Sequence, residues 1–181
     1  MQDKDIEAAQ VLHTEALTIR QQHGLRWDTV LSFSHLAQLD LRRGDCVGAR
    51  QKWCDGLTIA RELQDTVGAA GCLRGLAEVD LAERNLSACR TNLDEGLSLY
   101  RSVQHPQGIS MVLETFAKLA HAQHRPESAL RLFGAAAKLR EGFGLHANDA
   151  LLSAQVVASR RAAGEAVATA AWGAGYTMSV D

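Results

Sequence analysis

Apolar residues recur along this chain at three- and four-residue intervals, in long runs broken by short polar turns. Val30, Phe33, Leu36, Ala37 and Leu41 mark one run, and Leu73, Leu76, Ala77 and Leu81 mark the next. Such spacing lays one apolar stripe along an α-helix. The runs predict first helices over 28–43, 67–83 and 107–123, and second helices over 46–63, 86–103 and 126–142. Asp45 and Asn85 stand where they cap the helices that follow. Pro106 and Pro126, the two prolines of the chain, suit first-turn positions where no amide bond is lost.

The helices repeat as pairs. Shifted by 40 residues, Leu36-Ala37 falls on Leu76-Ala77 and then on Phe116-Ala117, and Ala9 falls on Ala49, Cys89 and Ala129. A fixed period in this range marks stacked hairpins, none of which buries its apolar face alone. Residues 1–146 divide into a partial unit at 4–23 and full units at 26–65, 66–105 and 106–144. Residues 147–181 break the period, and helices near 148–163 and 165–174 are placed to cap the stack. The partial unit lacks its first helix. Its face of Ile6, Ala9, Leu12, Ala16 and Ile19 is therefore one neighbour short, and it is a candidate self-association edge for a homodimer.

The series Phe33-x-x-Leu36-Ala37, Gly44-Asp45, Ala49, Trp53, Gly56-Leu57 resembles a tetratricopeptide repeat. Leu73-x-x-Leu76-Ala77 with Leu93 and Gly96-Leu97 repeats it, as does Leu113-x-x-Phe116-Ala117 with Ala129 and Phe133. That family's unit is about 34 residues, so each copy here is longer by about two helical turns. The segment from Ser128 through Phe133-Gly134 to Arg140, and the tail Ala170-Ala171-Trp172-Gly173-Ala174-Gly175 with Met178-Ser179-Val180-Asp181, are similar to the terminal repeats of large bacterial regulators. Those regulators join STAND-type ATPase, LuxR-type winged-helix or cyclase modules to tetratricopeptide-like repeats. The resemblance implies an all-α, right-handed α-solenoid of tetratricopeptide-like hairpins with a C-terminal helical cap.

Composition narrows the partners. Hydrophobic residues make up 46% of the 181, enough for a real core, and the formal net charge is −2 with a pI near 6.4. No clustered excess of Lys and Arg points to nucleic acid, and no apolar run reaches membrane-spanning length. Cys46, Cys54, Cys72 and Cys89 form no C-x-x-C pair and fall on small-residue packing positions, which suits a reduced, cytoplasmic protein. No phosphate loop, nucleophile elbow or H-E-x-x-H motif occurs, so no catalysis is expected. Neither cofactor nor metal is expected either, because His105, His121 and His124 lack convergent companions.

The resemblance implies that the first helices line a concave groove. Motif alignment puts Ser34, Gln38 and Arg42 on it in one unit and Arg74, Glu78 and Leu81 in the next. The third contributes Met111, Glu114, Lys118 and His121. Arg74–Glu78 and Glu114–Lys118 are four apart and share a helix face, while Arg74 with Glu114, and Glu78 with Lys118, would face each other across the stack. A groove striped with both charges suits a polar or mixed-charge peptide; the alternative is a solvated, self-paired face. The chaperone-binding carboxylate clamp of the family is missing.

Two further patterns stand out. Asp40 and Asp80 share a repeat position, as do Arg50 and Arg90, and Ala120 and Leu130 replace both in the third unit. This predicts ion pairs Asp40–Arg50 and Asp80–Arg90 within each hairpin. Of the tryptophans, Trp53 reads as core, Trp172 as an anchor of the cap, and Trp27 as the loop aromatic open to a ligand. The expected role is protein or peptide recognition, as sensor or scaffold arm of a bacterial signalling or transcription regulator. Small-molecule effector sensing and self-assembly through the 4–23 edge are the alternatives.

Overall fold

In the computed structural model, residues 2–144 and 154–178 are described, with side chains from Ile6 onward. The described residues form helices α1 (Gln2–Gln22), α2 (Arg26–Arg42), α3 (Cys46–Glu62), α4 (Thr66–Ala82), α5 (Leu86–Ser102), α6 (Pro106–Ala122), α7 (Pro126–Glu141), α8 (Ala154–Ala163) and α9 (Glu165–Tyr176), and no strand. The fold is all-α and built of repeated, consecutively packed helices. Every predicted boundary of the paired helices lies within two residues of the observed one. The first cap helix is described from Ala154, and the start expected near 148 lies outside the described residues.

One turn is reused throughout. After α2 the N–H of Asp45 returns to the carbonyl of Asp40 (2.9 Å) and that of Gly44 to Leu41 (3.1 Å). This 6→1 and 5→2 pair closes a helix with one residue in the left-handed region. The same closure joins Asp65 to Ala60, Asn85 to Asp80, His105 to Tyr100 and Arg125 to Ala120. Left-handed residues accordingly recur at Gly24, Gly44, Gln64, Arg84, Gln104 and His124. The residue after each opens the next helix. Asp45 and Asp65 accept from the N–H of Gly48 and Gly68 at 2.8 Å, Asn85 accepts from Ala88, and His105 Nδ1 accepts from Gly108 (2.9 Å). Pro106 and Pro126 occupy first-turn positions as expected.

The chain divides into two compact units, Met1–Leu99 and Tyr100–Asp181. In the first, α1 packs on α2, α2 on α3, α3 on α4, and α2 also lies against α4. Its core gathers Val30, Ala37, Trp53, Leu57, Cys72, Leu73 and Leu76. Each large side chain buried there contributes about 1.5–3 kcal/mol. Gly75 is required by this packing, because a Cβ at that position would overlap the Trp53 indole.

In the second unit α7 packs on α6, α8 and α9. Leu130, Phe133, Val156, Ala168 and Ala171 are buried together, with Trp172 half-buried against them, as expected of a cap anchor. The two segments that resemble terminal repeats are brought into contact here. A Cβ on Gly134 would overlap the carbonyl oxygen of Trp172, and one on Gly175 would overlap that of Arg131. These glycines let two backbones approach more closely than any side chain permits.

Candidate recognition surfaces

In the first unit the expected groove residues lie on two neighbouring helices. Ser34, Gln38 and Arg42 follow one another at four-residue steps along α2; the first two are half-buried and Arg42 is exposed. Ser34 hydrogen-bonds the thiol of Cys72 on α4. Arg74 donates to Glu78 (2.9 Å), the i,i+4 pair expected from the sequence, yet these side chains are only 12% and 13% exposed. The Arg74 Nε is buried and makes no hydrogen bond, a desolvated donor of the kind that costs about 1–3 kcal/mol. Leu81 is half-buried. The charges on α4 are therefore held down within the fold, whereas Arg42 reaches solvent.

In the second unit Met111 is exposed, and Glu114 accepts from Arg140 of α7 (2.8 Å). Lys118 is half-buried. His121 Nδ1 lies 2.9 Å from the hydroxyl of Ser159, which is fully buried. His121 thus ties α6 to α8, a structural use that the repeat pattern did not indicate because α8 lies outside it.

The ion pairs follow another register from the one predicted. Arg50 does not meet Asp40 but donates to Asp80 (2.7 Å) and Glu83 (2.6 Å), 30 and 33 residues ahead in the next hairpin. Asp80 also accepts from Asn92 (2.7 Å), 12 residues on. One repeat earlier Asp40 accepts from Lys52 (2.5 Å) and Gln10 (3.4 Å), and Gln10 accepts from Arg43. Asp40 and Asp80 are 3% and 1% exposed, so each carboxylate is a buried joint between three helices. Burial pulls the Arg50 guanidinium down, but its bonds to Asp80 and Glu83 outweigh this and raise it above its ordinary value. Arg90, predicted to pair with Asp80, instead donates to Asp94 (2.8 Å) on its own helix. Each carboxylate is thus bonded from both the preceding and the following second helix, Asp40 by Gln10 and Lys52 and Asp80 by Arg50 and Asn92.

At the N-terminal edge Ile6, Ala9 and Ala16 are half-buried, while Leu12 and Ile19 are 65% and 54% exposed, as is Val11 beside them. The contact of α1 with α2 includes polar pairs. The rings of His13 and His35 lie 4.7 Å apart and Arg20 donates to Ser32. Burial, then His13, then Arg20 lower the His35 imidazole from its ordinary value. Trp27 and Leu31 are exposed nearby.

Burial pushes the Cys72 and Cys89 thiols up to about 12, so neither carries thiolate at neutral pH. Among the described residues no three His, Cys, Asp or Glu side chains gather as a metal site, and no helix is long and apolar enough to cross a membrane. No protein-family model, curated protein or solved structure matches this chain.

Proposed function

We propose that the chain is a non-catalytic recognition scaffold of tetratricopeptide type, the sensor or scaffold arm of a bacterial signalling or transcription regulator. A protein or peptide partner is gripped along α2 and α4. The observation that supports this most is the side-by-side packing of these equivalent helices, with Ser34, Gln38 and the exposed Arg42 in line along one of them. The buried state of Leu36, Ala37, Ala49 and Trp53 fits the tetratricopeptide pattern. The exposed Arg42 supplies a charge for a partner carboxylate, and the Arg74–Glu78 pair offers a preformed polar floor. A photo-crosslinker placed at Gln38 should yield a partner adduct in cells that Arg42→Glu removes, whereas one at the exposed Thr58 of α3 should not. Equal adducts at both positions would reject this face.

Self-assembly through α1 is the second reading, supported by the exposure of Val11, Leu12 and Ile19. Light scattering separates it: a dimer converted to monomer by Leu12→Glu favours assembly, and a monomer at every concentration rejects it.

A further inference from the structure

The second unit holds a cleft of about 680 Å³ that opens beside Pro106 and Ile109 of α6 and Lys138 and Leu139 of α7. A smaller lobe of about 290 Å³ adjoins it over Leu113, Leu132 and Ala135, and Arg101 and Met178 line both. The floor is apolar. Ile109 and Leu113 are 8% exposed each, and the Met178 thioether stands between the lobes, half in solvent. The rim is cationic: Arg101, Lys138 and Arg131 line the two lobes, and among the described residues no Asp or Glu does. Among the described residues Arg101 and Arg131 make no ion pair, and Lys138 is set over the Tyr176 ring at 5.0 Å. The nearest acid in sequence, Glu141, accepts from the Tyr176 hydroxyl.

From this geometry we infer that the cleft binds a small amphipathic anion, an acyl or aryl carboxylate, with its acid group between Arg101 and Lys138 and its apolar body over Ile109, Leu139 and Met178. Two cations on one rim provide charge-assisted bonds to both carboxylate oxygens. The apolar floor provides the contact area, and the volume lies in the range of small-ligand sites. Met, flexible and polarisable, lets one cleft accept apolar bodies of differing shape. This site is independent of the face formed by α2 and α4, so either proposal can fail while the other stands.

Isothermal titration of the full chain with decanoate tests it, with decanol as the uncharged counterpart. Saturable one-to-one binding of decanoate is expected, with decanol weaker by about tenfold for the lost charge-assisted contacts. Arg101→Glu and Lys138→Glu should each weaken decanoate by about tenfold or more, while Arg161→Glu on the exposed side of α8 should leave it unchanged. Arg101 and Lys138 are exposed, so unchanged melting temperatures verify the fold of these variants. Four results would overturn the inference: no saturable binding, equal affinity for decanol, equal weakening by Arg161→Glu, or binding that appears only in a chain ending at Met178. The last would make the cleft a seat for the chain's own final residues. Capture of an acidic peptide with no binding of decanoate would likewise overturn it, by assigning the surface to a macromolecule.

Discussion

Helices α1 and α7 occupy the same place in the repeat, yet one is loosely held and the other sealed. The slot filled by Trp53 (3% exposed), Leu93 (0%) and Phe133 (3%) is filled in α1 by His13, which is half-buried against another histidine. The slot one residue later is exposed as Thr14, Cys54 and Asp94, but in α7 it is Gly134, buried under the Trp172 carbonyl. The repeat period therefore specifies which faces are apolar, while single departures from it decide where an array is closed. α7 is covered through two glycines, its own Gly134 and Gly175 of α9, which admit a neighbouring backbone. α1 keeps Val11, Leu12 and Ile19 in solvent and sets an imidazole and a guanidinium against its neighbour.

The sharpest way to break that contrast is to fill the sealed end. Gly175→Ala places a methyl group on the Arg131 carbonyl, and Gly134→Ala places one on that of Trp172. Backbone cannot step aside as a flexible side chain can, so α7 and α9 must separate. Each change should cost about 3 kcal/mol or more, at the upper end of overpacking effects. Gly173→Ala is the control: its Cβ meets nothing within 4 Å, and Ala favours the helix by about 0.5–1 kcal/mol. Urea unfolding of the three variants measures this. Similar midpoints for all would mean the close approach is not what seals the end.

The buried carboxylates test how the regular part of the first unit differs from the second. Asp80→Ala should cost about 1–2 kcal/mol, discounted from a fully buried pair because the Arg50 side chain is 36% exposed. A double-mutant cycle should give about 1 kcal/mol of coupling for Arg50 with Asp80 and near zero for Asp80 with Arg90. The second unit carries Ala120 and Leu132 at the positions of Asp80 and Asn92. Asp80→Ala combined with Asn92→Leu should then recover most of the loss, since replacing a buried polar set by apolar groups is often near neutral. Recovery absent, the two units do not share one register.

Those cycles touch the point at which the sequence stops being legible. Helix bounds, the repeat and most of the core follow from apolar spacing, because each helix has to bury the same stripe. Shifting the chain by 40 residues also groups Asp40 with Asp80 and Arg50 with Arg90. It does not say which copy meets which, and Arg50 is bonded forward to Asp80 rather than back to Asp40. The near-burial of Arg74 and Glu78, and the use of His121 to hold Ser159, depend on neighbours that no periodicity encodes. Gly134 and Gly175 were visible as letters, but their role appears only when the two backbones are seen to touch.

The loose end should also respond to acid. His35 is lowered in the folded state by burial first, then by His13 and Arg20. The unfolded chain takes up its proton near pH 6.5, before the folded chain does. Stability contributed by this contact is therefore full above about pH 6.5, falls as the pH drops below that value, and levels off once His35 protonates in place. Melting between pH 7.5 and 5.5 should show the loss. His13→Phe, which installs the residue found at the sealed end, should flatten the profile and raise stability at both pH values. An unchanged slope in His13→Phe would place the acid response elsewhere among the histidines.

The smallest expected effect lies in the turns shared by both regions. Gly24 and Gly44 take φ values of +67° and +81°, whereas Gln64, Arg84, Gln104 and His124 hold the same left-handed conformation with side chains attached. A non-glycine residue there is strained by about 1–2 kcal/mol, partly offset by the extra freedom glycine loses on folding, about 0.5–1 kcal/mol. Gln64→Gly and Arg84→Gly should each stabilise by about 0.5 kcal/mol, and Gly44→Ala should destabilise by about 1 kcal/mol. Nothing lies within 4 Å of a Cβ built on Gly44, so any loss there comes from backbone conformation and not from a clash. Opposite signs for Gln64→Gly and Gly44→Ala in urea unfolding would show that the turn geometry is imposed by the packing of the helices, with the turn residue only easing or resisting it.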